Sequence, residues 1–208
     1  MTQIVIFAKA PKPGSVKTRL VPALGAEGAA SLARRLLAHT IQQALAADVG
    51  KVELCMSPAP TDPAWQGIAV DSAVQQTAQG DGDLGARMAR VVKRTTENPE
   101  SINKSVLLIG SDCPALTSVF LIQAAQQLQL HDAVMLPAYD GGYVLLGLKA
   151  PCHELFDHMP WSTSTVGLKT LQRMAALHMR VWQGPTLHDI DEPADLQHMQ
   201  DFFSSVLI

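Results

Sequence analysis

The chain has 208 residues, of which 47% are hydrophobic and 17% are charged, so it can bury a sizeable core and is not extensively disordered. Sixteen Lys and Arg residues against nineteen Asp and Glu residues give a net charge of -3, which excludes a general positive field for a nucleic-acid backbone. The three cysteines lack paired spacing, the N-terminus lacks a signal-peptide pattern, and no apolar run approaches the ~20 residues of a membrane span. We therefore expect a soluble cytoplasmic protein without nucleic-acid or membrane partners.

Short β-rich runs alternate with longer helical patterns along the whole chain. The predicted strands are Gln3–Ala8, Val52–Ser57, Val106–Ile109, Ala133–Leu136, Tyr143–Leu148 and Arg180–Trp182. The predicted helices are Ala26–Ala47, Leu84–Thr96, Ser118–Leu130, Thr165–His178 and Pro193–Phe203. This alternation predicts one α/β domain over residues 1–208, with a mainly parallel sheet between two helical layers. Only the five residues 138–142 lie between Pro137, which ends the run of the fourth strand, and the fifth strand. This is too few for a helical crossover, so that pair should be antiparallel.

The first candidate site is the basic segment Lys9–Leu20, which directly follows the first predicted strand. It carries four cations within eleven residues, and Gly14 allows a ligand to approach the backbone closely. Lys and Arg side chains together with backbone N–H groups can hold a polyphosphate. Ligands of open α/β sheets bind beyond the carboxyl ends of strands, which favours this interpretation over a solvated basic loop. The G-x-x-x-x-G-K-[ST] spacing is absent, so a P-loop ATPase is not indicated.

Two acidic segments form the second candidate site. Asp112 follows the apolar run Val106–Ile109, and Asp191 precedes the last predicted helix. Mg²⁺ and Mn²⁺ prefer hard oxygen ligands, often one or two carboxylates completed by substrate phosphates and water. A turn or cap role for Asp112 and a helix-capping role for Asp191 remain open alternatives at this stage.

Two glycine-rich segments are ambiguous in the sequence. Asp140 stands in an Asp-Gly-Gly turn that could admit a sugar or an acceptor, although Asp-Gly is also an ordinary hairpin signal. The segment Gln79–Gly85 contains G-x-G-x-x-G, but residues 72–78 do not form an apolar strand and no acid follows at about 20 residues. A dinucleotide site is therefore disfavoured, and we interpret the segment as a loop over a nucleotide base. The histidines lack metal spacing and are assigned structural roles, and no Ser-His-Asp constellation can be argued.

Several motifs occur in a fixed order along nearly the whole chain. They are Phe7-Ala8-Lys9-Ala10-Pro11 with Gly14, Lys17-Thr18-Arg19-Leu20, Gln79-Gly80 with Gly82-Asp83-Leu84-Gly85, Gly110-Ser111-Asp112-Cys113-Pro114, Asp140-Gly141-Gly142-Tyr143, Trp161 with Thr163, and Asp189-Ile190-Asp191 with Pro193. This series resembles the arsenosugar-biosynthesis-type glycosyltransferase-like family. Two positions depart from that pattern, because Ala86 and Ser162 stand where Glu and Gly are usual. Neither departure removes a proposed metal or phosphate ligand.

The resemblance extends to molybdenum-cofactor and phospholactate guanylyltransferases and to sugar-nucleotide cytidylyltransferases. It implies a GT-A-like nucleotide-diphospho-sugar transferase fold, with Asp112 and Asp191 as ligands of Mg²⁺ or Mn²⁺ and the basic loop on the nucleotide phosphates. Residue by residue, the predicted nucleotide- or phosphate-binding set is Ala8, Lys9, Gly14, Lys17, Arg19, Gln79 and Gly80. Asp112 and Asp140 are the predicted catalytic residues.

The leading hypothesis is a metal-dependent glycosyltransferase that uses a nucleotide sugar and a small-molecule acceptor. The main alternative is a guanylyl- or cytidylyltransferase-like nucleotidyltransferase, which would join a nucleoside triphosphate to a phosphorylated acceptor. A third hypothesis is a nucleotide-binding protein without turnover. The donor base, the sugar and the acceptor are not identified by the sequence.

Overall fold

A seven-stranded sheet forms the middle layer of the protein. The computed structural model describes residues 1–97 and 104–199. The strands are β1 (Thr2–Lys9), β2 (Val52–Ser57), β3 (Gln75–Ala78), β4 (Ser105–Ile109), β5 (Ala133–Pro137), β6 (Tyr143–Leu148) and β7 (Val181–Gln183). Their order across the sheet is β3-β2-β1-β4-β6-β5-β7. Strand β6 is antiparallel to both of its neighbours, β4 and β5, and the other adjacent pairs are parallel.

Among the described residues, two helices cover each face of the sheet. The α-helices of this part of the chain are α1 (Val21–Ala47), α2 (Leu84–Thr96), α3 (Ser118–Leu130) and α4 (Val166–Ala176). Successive side chains of a strand point to opposite faces, so Ile4 and Ile6 of β1 pack in one core with α1 and α3, whereas Val5 packs in the other with α2 and α4. The predicted three-layer α/β/α architecture is therefore confirmed.

The sequence missed one strand and misjudged the type of one helix. We interpreted residues 72–78 as lacking a strand, but Gln75–Ala78 forms β3 at the edge of the sheet. This strand is mostly solvent-exposed, so it carries no apolar run from which it could be recognised. At the other end of the chain, Pro193–Met199 is a 3-10 helix. The remainder of the predicted helix, residues 200–203, lies outside the described residues.

A buried ion pair ties the edge of the sheet to helix α2. The Glu53 side chain on β2 is fully buried and accepts hydrogen bonds from Arg94 of α2, from Gln3 of β1 and from Thr77 of β3. A buried charge is tolerated only when it is paired and hydrogen-bonded, and Glu53 is both. The network therefore holds β3 and the loop that follows it in one position relative to β1.

The β5–β6 hairpin places a turn on the same edge of the sheet as the carboxyl ends of the parallel strands. The pair is antiparallel, as predicted, with Leu136 opposite Leu145. Strands β4 and β5 are both antiparallel to β6, so they run in the same direction. The carboxyl ends of β4 and β5 therefore lie at the same edge of the sheet. Asp140 and Asp112 are thereby brought to that edge. Within the described ranges, none of the helices has the length and apolar character needed to cross a bilayer.

Candidate functional site

A cleft of about 660 Å³ opens at this edge of the sheet. Its lining is strongly acidic, with the carboxylates of Asp140, Asp189, Asp191, Glu192 and Asp195. Arg19 is the one Lys or Arg among the described residues that line it. The cleft is completed by three consecutive hydroxyl residues, Ser162, Thr163 and Ser164, and by the rings of Tyr139, Tyr143, Trp161 and His188. This composition suits a polar, hydrogen-bonding ligand group better than an anionic one.

Lys17 connects the basic loop to the acidic edge. Its Nζ lies 2.6 Å from Oδ1 of Asp191 and 3.3 Å from Oδ2 of Asp112, and its side chain is only 10% exposed. Burial works against the charged ammonium, but the charges of Asp112 and Asp191 and their hydrogen bonds outweigh it and leave the pKa of Lys17 above its ordinary value. Two residues predicted as metal ligands and one predicted to bind phosphate therefore meet at a single point.

Local backbone features bring the two carboxylates together. Asp112 follows β4, and its carbonyl accepts a hydrogen bond of 3.0 Å from the backbone N–H of Ile190. Ile190 is fully buried, so the acidic segment around Asp191 is anchored against the end of β4. Gly110 makes room for the bend of the Asp112 side chain, since a Cβ at Gly110 would lie 2.7 Å from Oδ1 of Asp112. The pairing is therefore built by the sheet edge and not by chance proximity of exposed side chains.

The carboxylate of Asp195, and not that of Asp191, accepts hydrogen bonds from the backbone just before the last 3-10 helix. One oxygen of Asp195 accepts hydrogen bonds from the backbone N–H groups of Asp191 and Glu192, at 2.9 and 2.7 Å. The Asp191 carboxylate is bonded instead to Lys17. The Asp191 carboxylate is therefore not used as a cap here, and its role as a metal ligand stays a prediction.

Asp189 is the most perturbed acid of the cluster and was given no role from the sequence. Burial, followed by the negative charges of Asp140, Asp112 and Asp191, raises the pKa of Asp189 to about 7. The signal in the sequence was the Asp-Ile-Asp pattern, but the pattern alone does not say that both acids reach the same cleft. Asp189 lies on the cleft wall two positions before Asp191.

The arrangement of Asp112 and Asp191 fits a divalent cation. Their carboxylates converge on one positively charged group, the Lys17 ammonium, at hydrogen-bonding distance. In residues 1–97 and 104–199, no group of three or more His, Cys, Asp or Glu side chains is placed so that it could hold a metal ion. A magnesium or manganese ion would therefore need further oxygen ligands from a substrate phosphate and water, as is common for these hard cations.

Asp140 lines the cleft from the hairpin turn. Its carboxylate accepts a 2.7 Å hydrogen bond from the backbone N–H of Gly142, which shapes the turn, and Gly141 adopts φ +89°. A Cβ at Gly141 would lie 2.1 Å from the carbonyl oxygen of Ser164, so the turn packs directly on the segment that precedes α4. The exposed carboxylate is thus held on a rigid support with room to contact a ligand.

Of the other predicted residues of the basic loop, Arg19 lines the cleft, whereas Lys9 and Gly14 do not. Arg19 lines it and lies 3.4 Å from Glu192, with its side chain 63% exposed. Lys9 is exposed at the end of β1, and Gly14 adopts φ +74° in the exposed part of the loop. Neither Lys9 nor Gly14 is part of the cleft lining. Their phosphate-binding roles remain predictions.

The side chain of Gln79, directly after β3, reaches across β2 to the backbone of Ala8 on β1. The side-chain amide of buried Gln79 donates to the carbonyls of Ala8 and Cys55, at 3.2 and 2.9 Å, and its oxygen accepts from Arg87 at 3.0 Å. Gly80 follows with φ +74°. The Gln79 side chain is therefore occupied within the protein, so any part it takes in nucleotide binding is through the position of the loop.

The loop ends in a helix cap that can be tested by mutation. The Asp83 carboxylate accepts a 2.8 Å hydrogen bond from the backbone N–H of Ala86 at the start of α2. We expect Asp83→Ala to lower the free energy of unfolding by about 1 kcal/mol, because an N-terminal N–H of the helix loses its partner. Urea denaturation measures the change, and Asp81→Ala in the same loop is the matched control. An equal loss in both variants would show that loop charge, and not capping, is responsible.

A stack of three rings, two of which line the cleft, was not foreseen. Tyr139 and His188 are parallel with ring centroids 3.8 Å apart, and His188 and His198 stack at 3.9 Å. Tyr139 is 63% exposed beside Asp140. Trp161 also lines the cleft, although the sequence assigned it no role. Such residues are distant in the chain, so only the fold could reveal that they share a wall.

Comparison with known proteins gives a consistent result for the fold. Residues 40–163 match the protein family described as "Uncharacterized protein conserved in bacteria (DUF2064)". A comparison with curated protein sequences found no significant match. Among solved structures, a protein of Desulfovibrio desulfuricans G20 provisionally assigned as a nucleotide-diphospho-sugar transferase is 32% identical, with a TM-score of 0.85 over 95% of this chain and 85% of that one.

More distant structures share the fold at lower identity. A Mycobacterium tuberculosis H37Rv protein, Rv0371c, solved in complex with manganese, is 14% identical with a TM-score of 0.56, covering 96% of this chain and 97% of that one. A cytidylyltransferase from Leptospira borgpetersenii is 13% identical with a TM-score of 0.59, covering 98% and 87%. The predicted fold class, that of the nucleotide-diphospho-sugar transferases, is confirmed.

Proposed function

The chain belongs to the DUF2064 family, and we propose that it is a metal-dependent glycosyltransferase with a nucleotide-sugar donor and a small-molecule acceptor. In such a reaction, the bond between the anomeric carbon and the diphosphate oxygen breaks and a new bond to an acceptor oxygen forms, with loss of the acceptor proton. The assignment to the arsenosugar-biosynthesis-type group remains a prediction.

The observation that carries the proposal is the separation of charge in the site. The basic loop supplies Arg19 at the cleft wall, Lys17 in contact with Asp112 and Asp191, and Lys9 outside the lining. Among the described residues, the other charged groups of the cleft lining are five carboxylates. A nucleotide sugar has matching polarity, because its diphosphate is anionic and its sugar is neutral. A phosphorylated acceptor would instead bring a second anion among the carboxylates, at an electrostatic cost. This favours glycosyl transfer over nucleotidyl transfer to a phosphate.

Each group in the site has a proposed role. Lys9, Lys17 and Arg19 bind the donor phosphates, and Asp112 and Asp191 hold Mg²⁺ or Mn²⁺. When bound, the ion supplies charge neutralisation for the leaving nucleoside diphosphate. Asp140 positions the sugar or the acceptor, because its carboxylate can accept hydrogen bonds from the hydroxyl groups of either one. The hydroxyls of Ser162, Thr163 and Ser164 offer further contacts to the same groups.

The first test is a thermal-shift panel of nucleotide sugars and nucleoside triphosphates, each with and without Mg²⁺ or Mn²⁺. A ligand at ~100 times its dissociation constant raises the melting temperature of a domain of this size by about 5–10 °C. We expect a metal-dependent shift with at least one nucleotide sugar. A shift confined to triphosphates would favour the nucleotidyltransferase hypothesis.

Product analysis then separates the reactions. Glycosyl transfer or donor hydrolysis releases a nucleoside diphosphate, whereas nucleotidyl transfer from a triphosphate releases pyrophosphate. We expect diphosphate release in the presence of metal, reduced in Asp140→Asn but unchanged in Asp157→Asn, which alters an exposed acid outside the cleft. Binding without either product, across donors, acceptors and both metals, would contradict the proposal and support a nucleotide-binding protein without turnover.

A further inference from the structure

We infer that Lys17 acts as an internal counter-ion that suppresses binding of a divalent cation until a phosphate-bearing ligand draws its ammonium away. This role of Lys17 rests on the proposed function and deepens it, since it makes metal binding and donor binding interdependent. Its test requires no transferase activity.

The Lys17 ammonium lies where a cation shared by the two carboxylates would lie. Its Nζ lies 2.6 Å from the Asp191 carboxylate, which is a short charge-assisted hydrogen bond. The Asp112 carboxylate lies 3.3 Å away, so both contacts are ion pairs. At such separations, two positive charges in a poorly solvated place repel strongly. A divalent cation between Asp112 and Asp191 therefore requires the ammonium to leave.

The backbone holds Lys17 in this position. Lys17 has φ +47° and ψ +41°, a left-handed conformation that is uncommon for residues other than glycine, and its carbonyl accepts a 2.8 Å hydrogen bond from Leu20. Leu20 is fully buried, so this turn is fixed to the core. The backbone of Lys17 is therefore fixed, whereas its long side chain is flexible. The ammonium can move while the loop stays in place.

Displacement of the ammonium is costly without a ligand that receives it. Lys17 has its side chain only 10% exposed, so an ammonium expelled from the carboxylates must find another anionic partner or solvent. A donor diphosphate at the basic loop would provide that partner. Metal and diphosphate should consequently bind together more tightly than either binds alone, which is positive coupling between two ligands.

Manganese binding in the absence of nucleotide tests the inference. We expect Lys17→Met to bind Mn²⁺ alone at least about ten-fold more tightly than the wild-type protein, as the competing hydrogen-bonded charge is removed. Free Mn²⁺ is measured by electron paramagnetic resonance during titration. Lys17→Arg keeps the charge and should stay close to wild type, as should Lys12→Met, which removes an exposed cation of the same loop.

A second substitution tests where the additional manganese affinity of Lys17→Met arises. In the Lys17→Met background, Asp191→Asn should abolish the increase if manganese lies between the two carboxylates. Lys17→Gln provides the same comparison if the methionine variant fails to fold, as judged by circular dichroism. Equal Mn²⁺ affinity in wild type and a folded, neutral Lys17 variant would overturn the inference, as would a gain that survives Asp191→Asn. Failure of every donor to react would bear on the proposed function only, because this titration contains no donor.

Discussion

We expect Asp112→Asn to lower metal-dependent turnover of a nucleotide-sugar donor by at least about 100-fold while leaving the fold intact. The substitution keeps the size of the side chain and an oxygen that can accept from Lys17, but it removes the negative charge that a divalent cation requires. Mutation of a residue that hydrogen-bonds to a metal ligand commonly lowers metal affinity or activity 10- to 100-fold. Loss of a direct ligand should therefore lower turnover by at least about 100-fold. Release of nucleoside diphosphate at saturating metal measures the effect.

The matched controls separate ligand loss from loss of folding. Asp157→Asn changes an exposed acid outside the cleft and should retain wild-type turnover. The melting temperature of Asp112→Asn without metal should stay within a few degrees of wild type, because the second partner of Lys17, Asp191, remains. Turnover above about one tenth of wild type in the folded variant would refute the assignment of Asp112 as a metal ligand.

We expect Asp189→Asn to stabilise the protein at pH 8. In the folded state, burial and the charges of Asp140, Asp112 and Asp191 raise the pKa of Asp189 to about 7, well above that of an exposed aspartate. A pKa that differs by about three between the folded and unfolded states corresponds to about 4 kcal/mol of stability, and solvent screening of this part-exposed group reduces that to about 2 kcal/mol. A gain of about 2 kcal/mol raises the melting temperature by roughly 4–8 °C.

The sign of the pH dependence follows from the raised pKa. Between about pH 4 and pH 7, the unfolded chain gives up the Asp189 proton while the folded protein retains it, so this group makes stability fall as pH rises. Above pH 7 the folded carboxyl is ionised too, and the penalty is constant. Asparagine has no such penalty, so its advantage should grow from pH 5 and level off above pH 7.

Thermal unfolding over pH 5 to 8, in the presence of a chelator, measures this dependence. The chelator is needed because a bound cation would favour the ionised form of Asp189. Asp157→Asn should not reproduce the pH-dependent gain. A uniform gain at all pH values would show that the substitution acts through packing, and no gain at pH 8 would show that Asp189 is not destabilised by its neighbours.

The local part of the site was visible in the sequence. Asp112 could be placed at the working edge because an apolar run identifies β4 and an acid follows it. The antiparallel hairpin and its Asp140 turn were predictable for a similar reason, since five residues cannot contain a helical crossover. By contrast, β3 was missed, because an edge strand that faces solvent need not be apolar.

The sequence by itself determined the alternation of strands and helices, the three-layer class and the acids and cations that stand beyond the strand ends, because these depend on local periodicity and on chain order. Only the tertiary structure decided that Lys17 lies between Asp112 and Asp191, that Gln79 is occupied by backbone carbonyls, and that Asp189 shares a cleft with Asp140. These contacts join residues 24 to 174 positions apart in the chain, with Lys17 and Asp191 at the upper limit and Gln79 and Cys55 at the lower. Their distances are set by the strand order and by packing of the two helical layers, for which a linear pattern carries no direct signal.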